Sequence, residues 1–367
     1  MGKSEGAVEV QEASRQLTAA FRPEHCGRAL VIGGQGYLGS FLVQRLLEYG
    51  IPVTTFDKQA PAVVREGVRA LDGDLRHYDE LLEACADADT VFHLAAVINT
   101  GGICRLEERL EVFDINVTGT ENVVRACRAA GVKRLIYTSS VNVCFDREIQ
   151  DGDEDEPYAS EFLDLYTETK VLAEKAVLGA AETGLRTVAL RPGGIWGPGS
   201  GGLMVQTMLQ ELFAGKFNVL IGNGKARVDN THVENLVNSV LLALVALEER
   251  PETVSGRPYF ITDGEPMDGM DWFRPAVEGL GYKFPTMRLP AFLMYFVSWV
   301  MEWIYYFTGR VPLVTRLGIL KLTRSHFFSI KRAGKDLGYR PVVQSVAGLT
   351  AALPDYRLLN PAQEATL

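Results

Sequence analysis

Cysteine is scarce and poorly placed for cross-linking: Cys26, Cys85, Cys104, Cys127 and Cys144 are odd in number and never form a C-x-x-C pair. That spacing speaks against a disulfide framework and against a bound metal such as zinc, and it suits reduced thiols in a cytoplasmic setting. A concentrated basic stripe is also missing. Lys and Arg are scattered over a chain of formal charge −9, so nucleic acid is not an expected partner. Residues 1–26 carry mixed charge and lack the apolar core of a secretory signal, so they read as a flexible N-terminal arm. There is no internal repeat and no low-complexity tract.

What is present is an ordinary packed composition, 47% hydrophobic and 23% charged over 367 residues, enough for more than one average domain. From Arg28 onward, short β-branched runs alternate with helical periodicity. Arg28–Ile32, Pro52–Phe56, Thr90–His93, Arg134–Thr138 and Thr187–Arg191 read as strands; Leu38–Tyr49 and Asn116–Ala130 read as crossover helices. The expected fold is α/β, a Rossmann-type doubly wound parallel sheet with a smaller C-terminal substrate lobe. The nucleotide-binding domain is placed at 27–195 and the lobe at 196–367, with a segment near 228–262 returning to the first domain. Acidic Gln150–Glu156 reads as a loop, and the glycines between Gly193 and Gly202 mark the crossing between domains.

The most unusual segment is Leu289–Phe307, almost wholly apolar and rich in aromatic residues. Its 19 residues would just cross ~30 Å of hydrocarbon at ~1.5 Å per residue, but Glu302 lies inside it and a proline near its start. Trp and Tyr tolerate one wet end, which favours an interfacial helix or one packed on an apolar ligand. The competing reading is a buried lobe helix or a dimer contact. Localisation is expected to be cytoplasmic, with 289–307 as a peripheral membrane contact on the cytosolic face.

The chemistry begins with Gly33-Gly34-Gln35-Gly36-Tyr37-Leu38-Gly39, directly after the first strand and opening a helix. Glycines at Gly33, Gly36 and Gly39 let the backbone approach a pyrophosphate, which the helix N-terminus then receives. Asp57, 24 residues after Gly33, would accept hydrogen bonds from ribose hydroxyls and repel a 2′-phosphate, so NAD is favoured over NADP. Lys58 beside it softens that repulsion. Asp74 and Leu75 are placed at the adenine, and Ala95 lies where backbone comes close to the cofactor; His93 reads as a structural histidine.

Tyr166 and Lys170 stand i and i+4 in LYTETKVLAEKAVL, on one face of a helix. A phenol of pKa ~10 is a weak base near neutrality, and a nearby cation favours its phenolate. Ser139-Ser140 closes the fifth strand at the carboxyl edge, where open α/β sheets bind ligands, and offers a hydroxyl to the substrate oxygen. Asn116 read alone would cap the following helix.

These residues resemble the extended short-chain dehydrogenases/reductases, and within them the 3β-hydroxysteroid dehydrogenase group, which includes sterol-4α-carboxylate 3-dehydrogenase-like members. GGQGYLG, HLAA, DINVTGTENV, YTSS, LYTETK and LRPGGIWGPG appear in family order, and IGNGKARVDNTHVENL, YFITDGEP and FFSIKRAGKDLGYRP look like the steroid subgroup. The resemblance implies Tyr166 as proton acceptor, Lys170 as its electrostatic partner and ribose ligand, Ser140 as the hydroxyl orienting the carbinol, and Asn116 as the fourth member of the tetrad. It places Arg191-Pro192-Gly193 at the nicotinamide end. Two departures stand out: Ile32 replaces a frequent Thr, and Val141 and Asn142 follow Ser140 in place of smaller residues.

The implied activity is NAD-dependent oxidation of the 3β-hydroxyl of a steroid or sterol, by an enzyme expected to form a homodimer. A Δ5–Δ4 double-bond shift would need a second acid/base, which the sequence does not identify, although Glu168 lies between Tyr166 and Lys170. Sterol-4α-carboxylate dehydrogenation, 3-oxo-lipid reduction, nucleotide-sugar epimerisation and non-catalytic NAD binding are the alternatives.

Overall fold

The computed structural model describes residues 5–59, 61, 63–99, 103–310 and 312–361. Seven parallel strands form the central sheet in the spatial order Arg257–Ile261, Arg186–Pro192, Arg134–Thr138, Thr90–His93, Ala29–Ile32, Val53–Asp57, Val68–Asp72. Ala29 pairs with Val53 on one side and Thr90 on the other. Central strands such as Ala29–Ile32 and Arg134–Thr138 are buried throughout. Helices cover both faces, which explains their continuous apolar character rather than an alternating one.

On one face, Leu42 and Leu46 of the helix Tyr37–Glu48 pack with Val233–Glu249, where 14 of 17 residues are buried. On the other, Val123, Cys127, Ala173 and Val177 from Gly119–Ala129 and Leu165–Gly179 close a second core. Helix Val233–Glu249 leads into Arg257–Ile261, so the chain leaves for the lobe and returns to the sheet edge.

Two expectations need correction, and a third element forms with a polarity the sequence did not foretell. The N-terminal arm is not loose: Glu5–Leu17 is a helix, Ser14 and Thr18 are buried, and the Asn238 amide donates to the Ser14 hydroxyl at 3.0 Å. Phe21, only 2% exposed, continues that packing. Ser14 thus meets Asn238 on Val233–Glu249 and Thr18 meets the Tyr49 hydroxyl at 3.1 Å, partners that local composition does not reveal.

The Gln150–Glu156 run is not all loop. Ile149–Gly152 is a strand paired in parallel with His326–Phe328, and Lys331 and Arg332 meet Asp151 and Asp155 at 3.6 and 2.7 Å.

The helix expected at 289–307 forms as Ala291–Thr308, but it is inverted in polarity. Its two buried residues are Ser298 and Glu302, while Phe292, Phe296, Trp303 and Phe307 are exposed. Glu302 accepts from the Arg316 backbone N–H at 2.8 Å and from its Nε at 2.7 Å, which compensates a buried carboxylate. No helix among the described residues is long and apolar enough to cross a membrane.

Candidate active site

The first strand ends at Ile32, whose carbonyl accepts from the Leu94 and Ala95 backbone at 3.0 and 3.1 Å. This backbone pairing places Ala95 against the glycine turn, so an apolar side chain at Ile32 leaves the turn unaltered. Gly33 has φ +85° and a Cβ there would lie 2.9 Å from the Ala95 nitrogen; one on Gly39 would lie 2.1 Å from the Gly33 carbonyl oxygen. Gly36 begins Tyr37–Glu48 with no side-chain cap. The first-turn N–H groups, those of Tyr37 and Leu38 among them, have no intrahelical acceptor and suit an anion. The Leu38 side chain is buried in the core, and the Tyr37 hydroxyl donates to the Pro198 carbonyl at 2.9 Å.

Asp57 closes the second strand beside this turn. Its Oδ1 accepts from the Gln35 backbone at 3.2 Å, while Oδ2 is buried with no hydrogen-bond partner among the described residues. Burial raises its pKa, opposed by the Gln35 and Gly34 N–H groups. An orphaned carboxylate oxygen beside a cradle that Cβ atoms would fill fits the ribose diol and pyrophosphate of NAD. It is poorly suited to another negative phosphate.

Asp74 differs from expectation. Arg76 donates to it through Nη2 and Nε at 2.5 and 2.9 Å and lowers its pKa to about 2, so the carboxylate is ionised and shared with a guanidinium that the sequence reading did not include. Leu75 is buried against Gly119. His93 is buried and bonded to Thr120 at 2.9 Å, a structural role.

The fifth strand delivers Thr138, Ser139 and Ser140 to the same carboxyl edge. Ser140 starts a short turn, accepting from the Asn142 backbone at 3.2 Å, and its hydroxyl acts on the Tyr166 phenol, lowering its pKa against burial. Thr138 Oγ1, Ser139 Oγ and Asn142 Oδ1 are buried with no hydrogen-bond partner among the described residues, a concentration of unsatisfied polar atoms at the end of this strand. Asp164 caps Leu165–Gly179 by accepting from the Thr167 N–H and hydroxyl at 2.8 and 2.7 Å. That cap fixes the first turn, from which Tyr166 projects.

Asn116 does not cap its helix. Its amide bridges Val97, through N–H and carbonyl contacts of 2.8 and 2.9 Å, to the Thr169 hydroxyl at 3.0 Å. It therefore binds the Ala95-side loop to the helix of Tyr166 and Lys170.

Lys170 is buried, donates to the Thr138 carbonyl, and lies 4.2 Å from the Tyr137 ring centre and 6.0 Å from that of Tyr166. Burial lowers its pKa to about 7, opposed by Glu174; burial raises Tyr166 to about 12, with Asp164 adding and Ser140 opposing. Burial therefore outweighs the neighbouring hydroxyl, and the phenol stays above its ordinary pKa.

Sequence reading missed several groups. Arg191, expected along the nicotinamide end with Pro192, turns inward: its Nη2 donates to Glu174 at 2.6 Å and its Nε contacts both carboxylate oxygens at 3.1 Å. Pro192 ends the strand, and the Gly193 N–H that follows donates to Thr231 at 2.8 Å. Glu168 is paired with Arg109 at 3.0 Å, so it is not a free second acid/base. From the lobe, the half-buried Lys321 feels Asp164, and burial lowers it to about 8. Glu174 had a local signal, since it follows Lys170 by one helical turn; Lys321 had none.

The sequence pattern of the 3-beta hydroxysteroid dehydrogenase/isomerase family matches residues 30–291. A 3-beta-hydroxysteroid dehydrogenase of Mycolicibacterium neoaurum is 40% identical over 340 residues, covering 90% of this chain and 91% of that protein. Human short-chain dehydrogenase/reductase family 42E member 1 is 39% identical over 329 residues, covering 85% and 83%. Among solved structures, gox2253 aligns with a TM-score of 0.71 at 27% identity over 90% of this chain and 98% of its own. MoeE5 in complex with UDP-glucuronic acid and NAD gives 0.70 at 25%, covering 90% and 99%.

Proposed function

Because the chain belongs to the 3-beta hydroxysteroid dehydrogenase/isomerase family, we propose that it oxidises the 3β-hydroxyl of a steroid or sterol to the 3-ketone, with NAD as the hydride acceptor. The observation that carries this reading is that Ser140, Tyr166 and Lys170 meet at the carboxyl edge of the sheet beside the glycine cradle, with the Ser140 hydroxyl lowering the Tyr166 phenol against its burial and the Lys170 amine 6.0 Å from the phenol ring centre.

NAD, when bound, supplies the ring that takes the C3 hydride. Gly33, Gly36, Gly39 and Asp57 would hold it, with the backbone at Ala95 and Pro192 lining its path. Ser140 holds the carbinol oxygen while Tyr166 takes its proton. A phenol at about 12 keeps its proton near neutrality, so this step requires Lys170 to be charged as the phenolate forms. Asn116 and the Asp164 cap keep both side chains on one face.

The exposed aromatic face of Ala291–Thr308 suits peripheral contact with a lipid surface that would supply such a substrate. Retention of purified protein on phosphatidylcholine vesicles would support that contact, and its absence would remove it.

The activity test is incubation with NAD and, in parallel, 3β-hydroxysteroids, 4-carboxysterols and UDP-sugars, followed by absorbance and product mass. Formation of NADH and a 3-ketone with a 3β-hydroxysteroid is expected. Turnover of UDP-sugars alone, or of none of these compounds, overturns the proposal.

A further inference from the structure

Glu174 lies one turn beyond Lys170 on Leu165–Gly179, making Tyr166, Lys170 and Glu174 a column along one helix face. Glu174 is completely buried and its partner Arg191 nearly so, with side chains 0% and 2% exposed. Three donors converge on Glu174 Oε1: Arg191 Nη2 at 2.6 Å, Arg191 Nε at 3.1 Å and the Tyr158 hydroxyl at 2.8 Å. The guanidinium turns its remaining surface to Cys144 Sγ at 3.7 Å and to the rings of Tyr158 and Phe260. Such a pair is costly to desolvate and is often replaceable by apolar residues where only stability is at stake. Here the carboxylate stands between two cations, Lys170 and Arg191.

We infer that Glu174, held by Arg191 and Tyr158, is a positioning residue for the proposed dehydrogenase: its carboxylate keeps the buried Lys170 amine charged and directed at the Thr138 carbonyl, ready to stabilise the Tyr166 phenolate. The other groups facing Lys170 supply no negative charge near neutrality. His93 and Tyr137 approach from the sheet, His93 is held neutral by burial, and Tyr137 and Tyr166 keep their protons. Glu174 is the carboxylate that raises Lys170 against its burial. Without that charge the ammonium loses its proton at a lower pH, and a neutral amine gives the phenolate nothing.

The inference rests on the proposed activity but can be separated from it. In the full-length protein, the Lys170 amine would be titrated by NMR of lysine-labelled wild type, E174D and E174Q, alongside pH profiles of kcat/KM with NAD and a 3β-hydroxysteroid. In E174Q the Lys170 titration and the alkaline limb should both move to lower pH, by about one unit or more, and activity should fall about tenfold per unit above that limb. NAD affinity should stay near wild type, and E174D should recover most of the loss.

A folded E174Q with an unmoved Lys170 titration overturns the inference, even if its melting temperature falls. Should E174Q fail to fold, R191M, which leaves Glu174 without its guanidinium, is expected to move the Lys170 titration to higher pH, and an unmoved titration overturns the inference. If wild type turns over no 3β-hydroxysteroid, the proposed function fails while the NMR titration still decides the role of Glu174.

Discussion

Gly39→Ala gives the sharpest test of how the turn is built. The added methyl would meet the Gly33 carbonyl oxygen at 2.1 Å and the Gly34 Cα at 2.7 Å, whereas ordinary contact begins near 3.4 Å. Both obstacles are backbone, so neither can rotate away, and the helix must shift by about 1 Å relative to the turn. Overpacking among movable side chains costs about 1–3 kcal/mol; with backbone on both sides the upper end applies. If that displacement falls on the nucleotide cradle, NAD affinity drops by about 100-fold, since each 1.4 kcal/mol is tenfold.

Gly50→Ala is the control. Gly50 has φ +71° but nothing within 4 Å of a Cβ, so it loses only about 1–2 kcal/mol of backbone preference. Calorimetric NAD titration and thermal melts of both variants provide the comparison. Gly39→Ala should lose NAD binding, while Gly50→Ala should lose only stability. NAD affinity in Gly39→Ala within about threefold of wild type, with no larger melting shift than the control, would refute the steric argument.

Tyr166→Phe should retain NAD binding and lose turnover by about 100- to 10,000-fold, the usual range for a general base; near-normal steady-state rates would reject Tyr166 in that role. Asp57→Asn should reduce the kcat/KM preference for NAD over NADP by about tenfold, the cost of about one charged hydrogen bond, and an unchanged ratio would remove Asp57 from ribose recognition. His93 is held near about 3 by burial, against 6.5 ordinarily. Above 6.5 neither state binds the proton; below it the unfolded chain does and the folded one does not. Relative to His93→Leu, wild type should therefore lose about 1.4 kcal/mol per pH unit between 6.5 and 4 in urea melts, whereas a pH-independent difference would contradict the burial.

The sheet and the cradle were readable because their signals are local. β-branched runs, the glycine spacing after Ile32 and the four-residue step from Tyr166 to Lys170 each report on neighbours within one turn or strand. The errors came where partners lie far along the chain. Gln150–Glu156 looked like an acidic loop because the partner of its first residues, His326–Phe328, is far along the chain. Glu302 looked like a flaw in an apolar helix because Arg316 was not visible as its partner.

Arg191 shows the same limit at the site. Its motif placed the backbone near the cofactor, but its side chain points into the protein toward Glu174. Motif position specifies where the main chain passes, and the side chain follows the nearest buried charge. Asp74 has a partner that was close at hand, since a short turn lets the Arg76 guanidinium, two residues on, close onto its carboxylate.

The Tyr37 hydroxyl has a mechanical consequence. It grips the Pro198 carbonyl, while Tyr356 and Asp355 from the last described helix hold Gly197 and Gly199 at 2.9 and 2.8 Å. The glycine stretch where the chain departs for the lobe is thus tethered at three successive residues. One tether begins on Tyr37–Glu48, the helix that the glycine turn opens. Any displacement of the lobe against that helix would have to break the Tyr37 bond or carry the glycine turn with it.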